Sequence, residues 1–100
     1  MTLDHETILP GNPVTLTFKV YVNNVLTAAT VNWYRRPDGG SLETITTGTS
    51  NPSTGVYKLT YQFHLTDGPG KYYFGADAPS VEVYEEALVT LTNPRVLPPP

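Results

Sequence analysis

The chain has 100 residues, of which 39% are hydrophobic and 15% charged, with ten prolines, eight glycines, no cysteine and a formal net charge of -3. A chain of this length buries roughly two-thirds of its unfolded surface, enough for a single core, so two-domain arrangements are excluded. The missing cysteines remove disulfide scaffolds, thiolate metal sites and cysteine nucleophiles, and six scattered Lys and Arg residues argue against nucleic acid. Residues 1–10 lack the basic start and apolar run of a signal peptide, and no stretch approaches a membrane span. The expectation is a protein made in a cytoplasm, with no membrane partner.

Residues 14–22 alternate strictly. Val14, Leu16, Phe18, Val20 and Val22 interleave with Thr15, Thr17, Lys19 and Tyr21, the period of a half-buried strand. Asn23 and Asn24 then read as a turn, because Asn tolerates positive φ. A second strand is expected over residues 30–36, with Val31 and Trp33 on one face and Asn32 and Tyr34 on the other; residues 37–40, Pro-Asp-Gly-Gly, end it. Residues 41–47 read as a short or edge strand, and residues 50–55 as a loop by composition. Tyr57, Leu59, Tyr61 and Phe63, extending to Leu65, mark another strand. After the turn at residues 67–70, residues 71–76 form a strand, residues 78–80 interrupt, and residues 81–92 supply a last strand or a bent pair. The prolines of residues 93–100 exclude that segment from a sheet centre.

No helical apolar stripe occurs, and turn signals recur about every 8–12 residues. The expected fold is therefore all-β: an antiparallel sandwich of about seven strands over residues 10–92, flanked by extended arms at residues 1–9 and 93–100. An SH3-like or OB-like barrel is the structural alternative.

The chemical inventory is thin. His5 and His64 are the only imidazoles, and neither has a serine or carboxylate in a recognisable catalytic motif. Asp4, His5 and Glu6 are consecutive and point to alternate sides of an extended chain, and Asp77, Glu82, Glu85 and Glu86 lack calcium-loop spacing. No catalytic residue, metal or cofactor is expected.

Two resemblances add to this. Trp33 stands thirteen residues after Val20, and residues 67–74, Asp-Gly-Pro-Gly-Lys-Tyr-Tyr-Phe, resemble the corner opening the sixth strand of immunoglobulin-like domains. The resemblance places Val20 and Phe74 at the two disulfide positions, with Trp33 packed between them, and makes Val20, Trp33, Tyr72 and Phe74 core residues. It implies that Tyr72 turns inward, either as a tyrosine corner or as a plain buried tyrosine. The cysteine pair is absent, so an antibody or receptor domain is not implied. The segments at residues 10–17, 31–39, 53–57 and 69–74 also resemble small sandwich proteins of the virion structural modules of tailed bacteriophages. That likeness implies a noncatalytic virion part, a capsid decoration protein or a head–tail neck component, whose partners are capsid or neck proteins or further copies of itself.

Two features point to binding. Tyr34 and Tyr73 are expected to face outward on neighbouring strands, as one patch or as ordinary cross-strand pairs. Leu3, Ile8 and Leu9 at one end, and Val96 and Leu97 at the other, lack an obvious place in the core, so each arm is either laid across a neighbouring subunit or a frayed terminus. The candidate interface is therefore Tyr34, Tyr73, Val96 and Leu97. The competing function is a carbohydrate- or cell-surface-binding module in which the tyrosines stack on sugar rings.

Overall fold

A computed structural model describes residues 1–9, 11–64 and 66–92. Among them there is no α-helix, and strand is the predominant element. The described residues form eleven strands: β1 (Thr2–Leu3), β2 (Thr7–Ile8), β3 (Pro13–Lys19), β4 (Tyr21–Val22), β5 (Val25–Leu26), β6 (Asn32–Pro37), β7 (Glu43–Ile45), β8 (Thr49–Ser53), β9 (Val56–Gln62), β10 (Gly70–Ala78) and β11 (Val83–Leu91). One sheet has the order β1-β3-β9-β8, a second β2-β11-β10-β6-β7, and β4 and β5 make a separate hairpin. Every pairing is antiparallel except that of β2 with β11.

The alternation in β3 does what its period requires. Val14, Leu16 and Phe18 are buried while Pro13 and Lys19 are exposed. β9 sets Leu59 against Leu16, and β10 sends Tyr72, Phe74, Ala76 and Ala78 inward from the other sheet. The two inner faces meet in one apolar core, an arrangement compatible with a β-sandwich. Phe63, just past β9, meets Tyr61, Tyr72 and Phe74 edge-on, with ring centroids 5.1, 5.2 and 5.9 Å away.

Several expectations need correction. Residues 14–22 are not one strand: β3 ends at Lys19, and Tyr21–Val22 turns away to pair with Val25–Leu26. Asn23 and Asn24, at φ 52° and 65°, form the two-residue turn of that hairpin. Residues 50–55, expected as a loop, mostly belong to β8, an exposed edge strand with a register shift between Ser50 and Ser53. Asn51 holds it to the next turn, its side-chain amide donating to the carbonyls of Ser53 and Val56 at 2.7 Å each. Of the two readings of residues 81–92 the single strand is found, Val83–Leu91, and the interruption before it is a short 3₁₀ turn, Pro79–Val81. Leu65 lies outside the described residues.

Residues 1–9 are not a free arm. β1 pairs with β3 in one sheet and β2 with β11 in the other, so the N-terminal segment crosses between the sheets. Asp4 fixes the crossing: one carboxylate oxygen accepts from the backbone N–H groups of His5 and Thr15 at 2.8 and 2.9 Å. Ile8 is buried and Leu3 packs against the core, while Leu9 stays exposed. Leu3 and Ile8 thus find their place by adding short strands to two sheet edges, a solution that two-residue segments do not announce by periodicity.

Candidate functional site

The outer face of the five-stranded sheet follows from its register. On β10 Tyr73, Gly75 and Asp77 alternate with the inward set, so the side chains of Tyr73 and Asp77 point away from the core, and Gly75 is covered on that face by the Tyr84 ring. Tyr73 lies opposite Arg36 of β6 and Leu88 of β11; Gly75 lies between Tyr34 and Glu86; Asp77 lies between Asn32 and Tyr84. Tyr34 and Tyr73 are therefore diagonal neighbours on one face, each half-buried. The Arg36 guanidinium lies over the Tyr73 ring, 4.5 Å from its centroid.

Tyr84 and Leu88 complete this face and are its most open apolar members, at 52% and 41% exposure. Sequence reasoning missed them, although the alternation within residues 83–91 puts Tyr84, Glu86 and Leu88 on one side. Gly75 lets the Tyr84 ring lie across the sheet, since a Cβ at Gly75 would stand 2.8 Å from the phenol oxygen. That oxygen donates to Glu86 at 3.1 Å. Burial, and next the hydrogen bond to Glu86, raise the Tyr84 phenol above its ordinary pKa.

On the inner face, Val20 and Phe74 are fully buried and Trp33 and Tyr72 nearly so. Trp33 meets Phe18 edge-on at 6.3 Å, whereas the aromatic partners of Phe74 are Tyr61 and Phe63. The Tyr72 phenol donates to the Gly68 carbonyl at 2.5 Å, closing the turn that leads into β10. Arg35 is the buried charge that sequence reasoning passed over, although alternation from Trp33 places it inward. Its guanidinium lies 5.1 Å from the Tyr61 ring centroid and 5.2 Å from that of Tyr72. It pairs with Glu43, and its Nη1 lies 3.9 Å from Asp67. Surrounded in this way, Arg35 acts as a support for the core end rather than as a group offered to a ligand.

His5 and His64 are both exposed and on separate segments. Among the described residues no group of three or more His, Cys, Asp or Glu could hold a metal ion, and no helix is long and apolar enough to cross a membrane. Asp4 is committed to the sheet crossing, and Glu85 meets the Met1 amine. Val96 and Leu97, the remaining candidate interface residues, lie outside the described residues, as does the whole segment 93–100. No protein-family model, curated protein or solved structure matches the chain.

Proposed function

We propose that the protein is an immunoglobulin-like sandwich serving as a noncatalytic structural component of a tailed-phage virion, as a capsid decoration protein ahead of a neck component. The immunoglobulin-like reading is supported by sheet order. If β1, β3, β6, β8, β9, β10 and β11 are strands A, B, C, D, E, F and G, the sheets run A-B-E-D and G-F-C, with β2 added beside β11 and β7 beside β6. The hydrogen bond from Tyr72 to Gly68, four residues upstream at the start of the F-like strand, fits the tyrosine corner. The virion role is supported by the sequence resemblance at residues 10–17, 31–39, 53–57 and 69–74.

The observation that carries a binding role is the aromatic outer face of Tyr34, Tyr73, Tyr84 and Leu88. Rigid amphipathic rings framed by Arg36 and Glu86 are the composition of a protein interface. Arg36 already covers a face of Tyr73, which favours a protein partner over sugar stacking. The partners in this reading are capsid or neck proteins and further copies of the chain, reached through this face and through residues 93–100 as an arm.

The test is cosedimentation of the purified protein with assembled capsids and with isolated tails, beside a glycan array. The expected result is saturable binding to capsids, lost in the Tyr34→Ser, Tyr73→Ser double variant while its folded near-ultraviolet spectrum is retained. Specific sugar binding without particle binding would replace this reading with the carbohydrate module, and equal particle binding by the double variant would dismiss the aromatic face.

A further inference from the structure

The long strand β11 is only partly covered on the side away from β10. β2 pairs with Thr90 and Leu91 alone, while β10 pairs with all nine residues of β11 without a break in register. The backbone N–H of Thr90 donates to the Glu6 carbonyl and that of Thr92 to Ile8, both at 2.9 Å, so even-numbered residues direct their main-chain groups away from β10. Tyr84, Glu86 and Leu88 share that parity, and no described residue pairs with them on that side. Three N–H and C=O sets therefore form an unfilled ladder beside a cleft of about 390 Å³, between Leu3 and Glu6 on the crossing segment and Glu86 and Leu88 on β11. The other edges are guarded or short: β8 carries Pro52 and a register shift, and β7 has three residues. The β11 edge is also acidic. Glu6 and Glu86 line its cleft, and the positive group there among the described residues, the Met1 amine, is taken up by Glu85 on the inner face.

We infer that this edge is the acceptor for residues 93–97 of a second copy of the chain, added as an extra strand with Arg95 beside Glu86. The segment reads Asn93-Pro94-Arg95-Val96-Leu97. In an extended strand Asn93, Arg95 and Leu97 direct their N–H groups to one side, and Pro94 and Pro98, which have none, fall on the other. The segment thus has one donor-complete edge of three alternate residues, matching the three of Tyr84, Glu86 and Leu88. Its proline-bearing edge blocks further addition. Arg95 brings a positive charge to an acidic rim.

Reach requires the tail to come from another copy. Thr92 is held to Ile8, and Arg95 is three residues beyond it, a span of at most about 10 Å. Glu86 lies six residues back along β11, about 20 Å at the rise of a strand. A chain therefore cannot lay its own Arg95 beside its own Glu86, whereas a neighbour can. This inference rests on the arm reading above and names the surface on which the arm lands; it does not require a capsid.

The experiment measures self-association of the full chain by sedimentation velocity over a range of concentrations. Three variants are compared: deletion of residues 93–100, Glu86→Pro, which removes an edge N–H that β10 does not use, and Arg95→Glu, which reverses the charge of the tail. The wild type is expected to associate reversibly, and each variant to associate at least about tenfold more weakly. A mixture of the deletion variant, whose edge is intact, with Glu86→Pro, whose tail is intact, is expected to form a mixed dimer. Should Glu86→Pro misfold, a synthetic peptide of residues 92–100 added to the deletion variant supplies the same information, with the amide resonances of Tyr84, Glu86 and Leu88 expected to move. A wild type that stays monomeric, association unaffected by the deletion, or peptide-induced shifts elsewhere with none at those amides, overturns the inference. Self-association of the expected pattern without any binding to capsids would remove the virion reading and leave this one standing.

Discussion

Arg35 and Glu43 form a cross-strand ion pair that is buried at one end only: Nε and Nη2 of the arginine donate to one carboxylate oxygen at 3.1 and 2.9 Å, with the arginine side chain 9% exposed and the glutamate 55%. The two ends therefore differ in what their loss leaves behind. Removing the glutamate leaves a buried cation with no carboxylate nearer than Asp67, 3.9 Å from an Nη1 that lacks a hydrogen-bond partner among the described residues. Removing the arginine leaves a carboxylate that water can solvate.

Glu43→Gln is accordingly expected to destabilise the fold by about 1–2 kcal/mol, and Arg35→Met, which keeps the volume against Tyr61 and Tyr72, by less. Urea unfolding of both variants at one pH measures the difference. A larger loss for Arg35→Met would mean that the cation–π contacts outweigh burial of the charge.

Tyr61 and Tyr72 give the protein an alkaline limit. Burial lifts both phenols above the usual value of 10.0; for Tyr72 the Asp67 carboxylate adds to this, while for Tyr61 the Arg35 guanidinium opposes it. The unfolded chain begins to release these protons near pH 10 and the folded chain holds them longer. Their contribution is therefore complete below about pH 10 and falls as pH rises through the folded values. Tyr72→Phe is expected to lose about 1 kcal/mol at neutral pH through the Gly68 hydrogen bond, and to flatten the alkaline decline of the urea midpoint.

Two glycines with the same backbone conformation separate strain from crowding. Gly39 and Gly48 have φ of 74° and 78°, yet a Cβ at Gly39 meets open space while one at Gly48 would lie 2.4 Å from the Thr60 carbonyl oxygen. Gly39→Ala is expected to cost about 1 kcal/mol and Gly48→Ala clearly more, because backbone must move. Thermal unfolding of the pair checks this, and equal losses would contradict it.

Phe63 lies among three aromatic rings and is fully buried. Phe63→Leu is expected to lower stability by about 1–3 kcal/mol, from lost ring contacts and a small cavity. Leu59→Met, which nearly conserves volume at a buried site, is expected to cost less than about 1.5 kcal/mol. Denaturant midpoints at constant slope distinguish the two.

The strands that carry the core were legible because their side chains alternate, as in Val14, Leu16 and Phe18 or in Tyr57, Leu59 and Tyr61. β8 was hidden because Thr-Ser-Asn-Pro-Ser has turn composition and becomes a strand only through its pairing with β9 and the two bonds from Asn51. β1 and β2 are too short for any period, and only tertiary pairing defines them. The outer face was half legible. Tyr34 and Tyr73 follow from the positions of Trp33, Tyr72 and Phe74; alternation also groups Tyr84 with Leu88, but which residues of β10 they lie beside required the register of β11 against β10. Arg35 obeyed the alternation and was overlooked because a charge on the inner face contradicts the ordinary reading of a strand.

The pairing of β2 with β11 joins Ile8 to Thr92 across 84 positions of sequence. On the ribosome, then, Ile8 is made long before its partner strand exists. Ile8 must wait, uncovered, until β11 has emerged, and closing so long a loop is slow. The newborn chain therefore passes through an interval in which its early hydrophobic residues are open to chaperones and to aggregation alike, and its yield in a cell depends on how quickly translation supplies the other end.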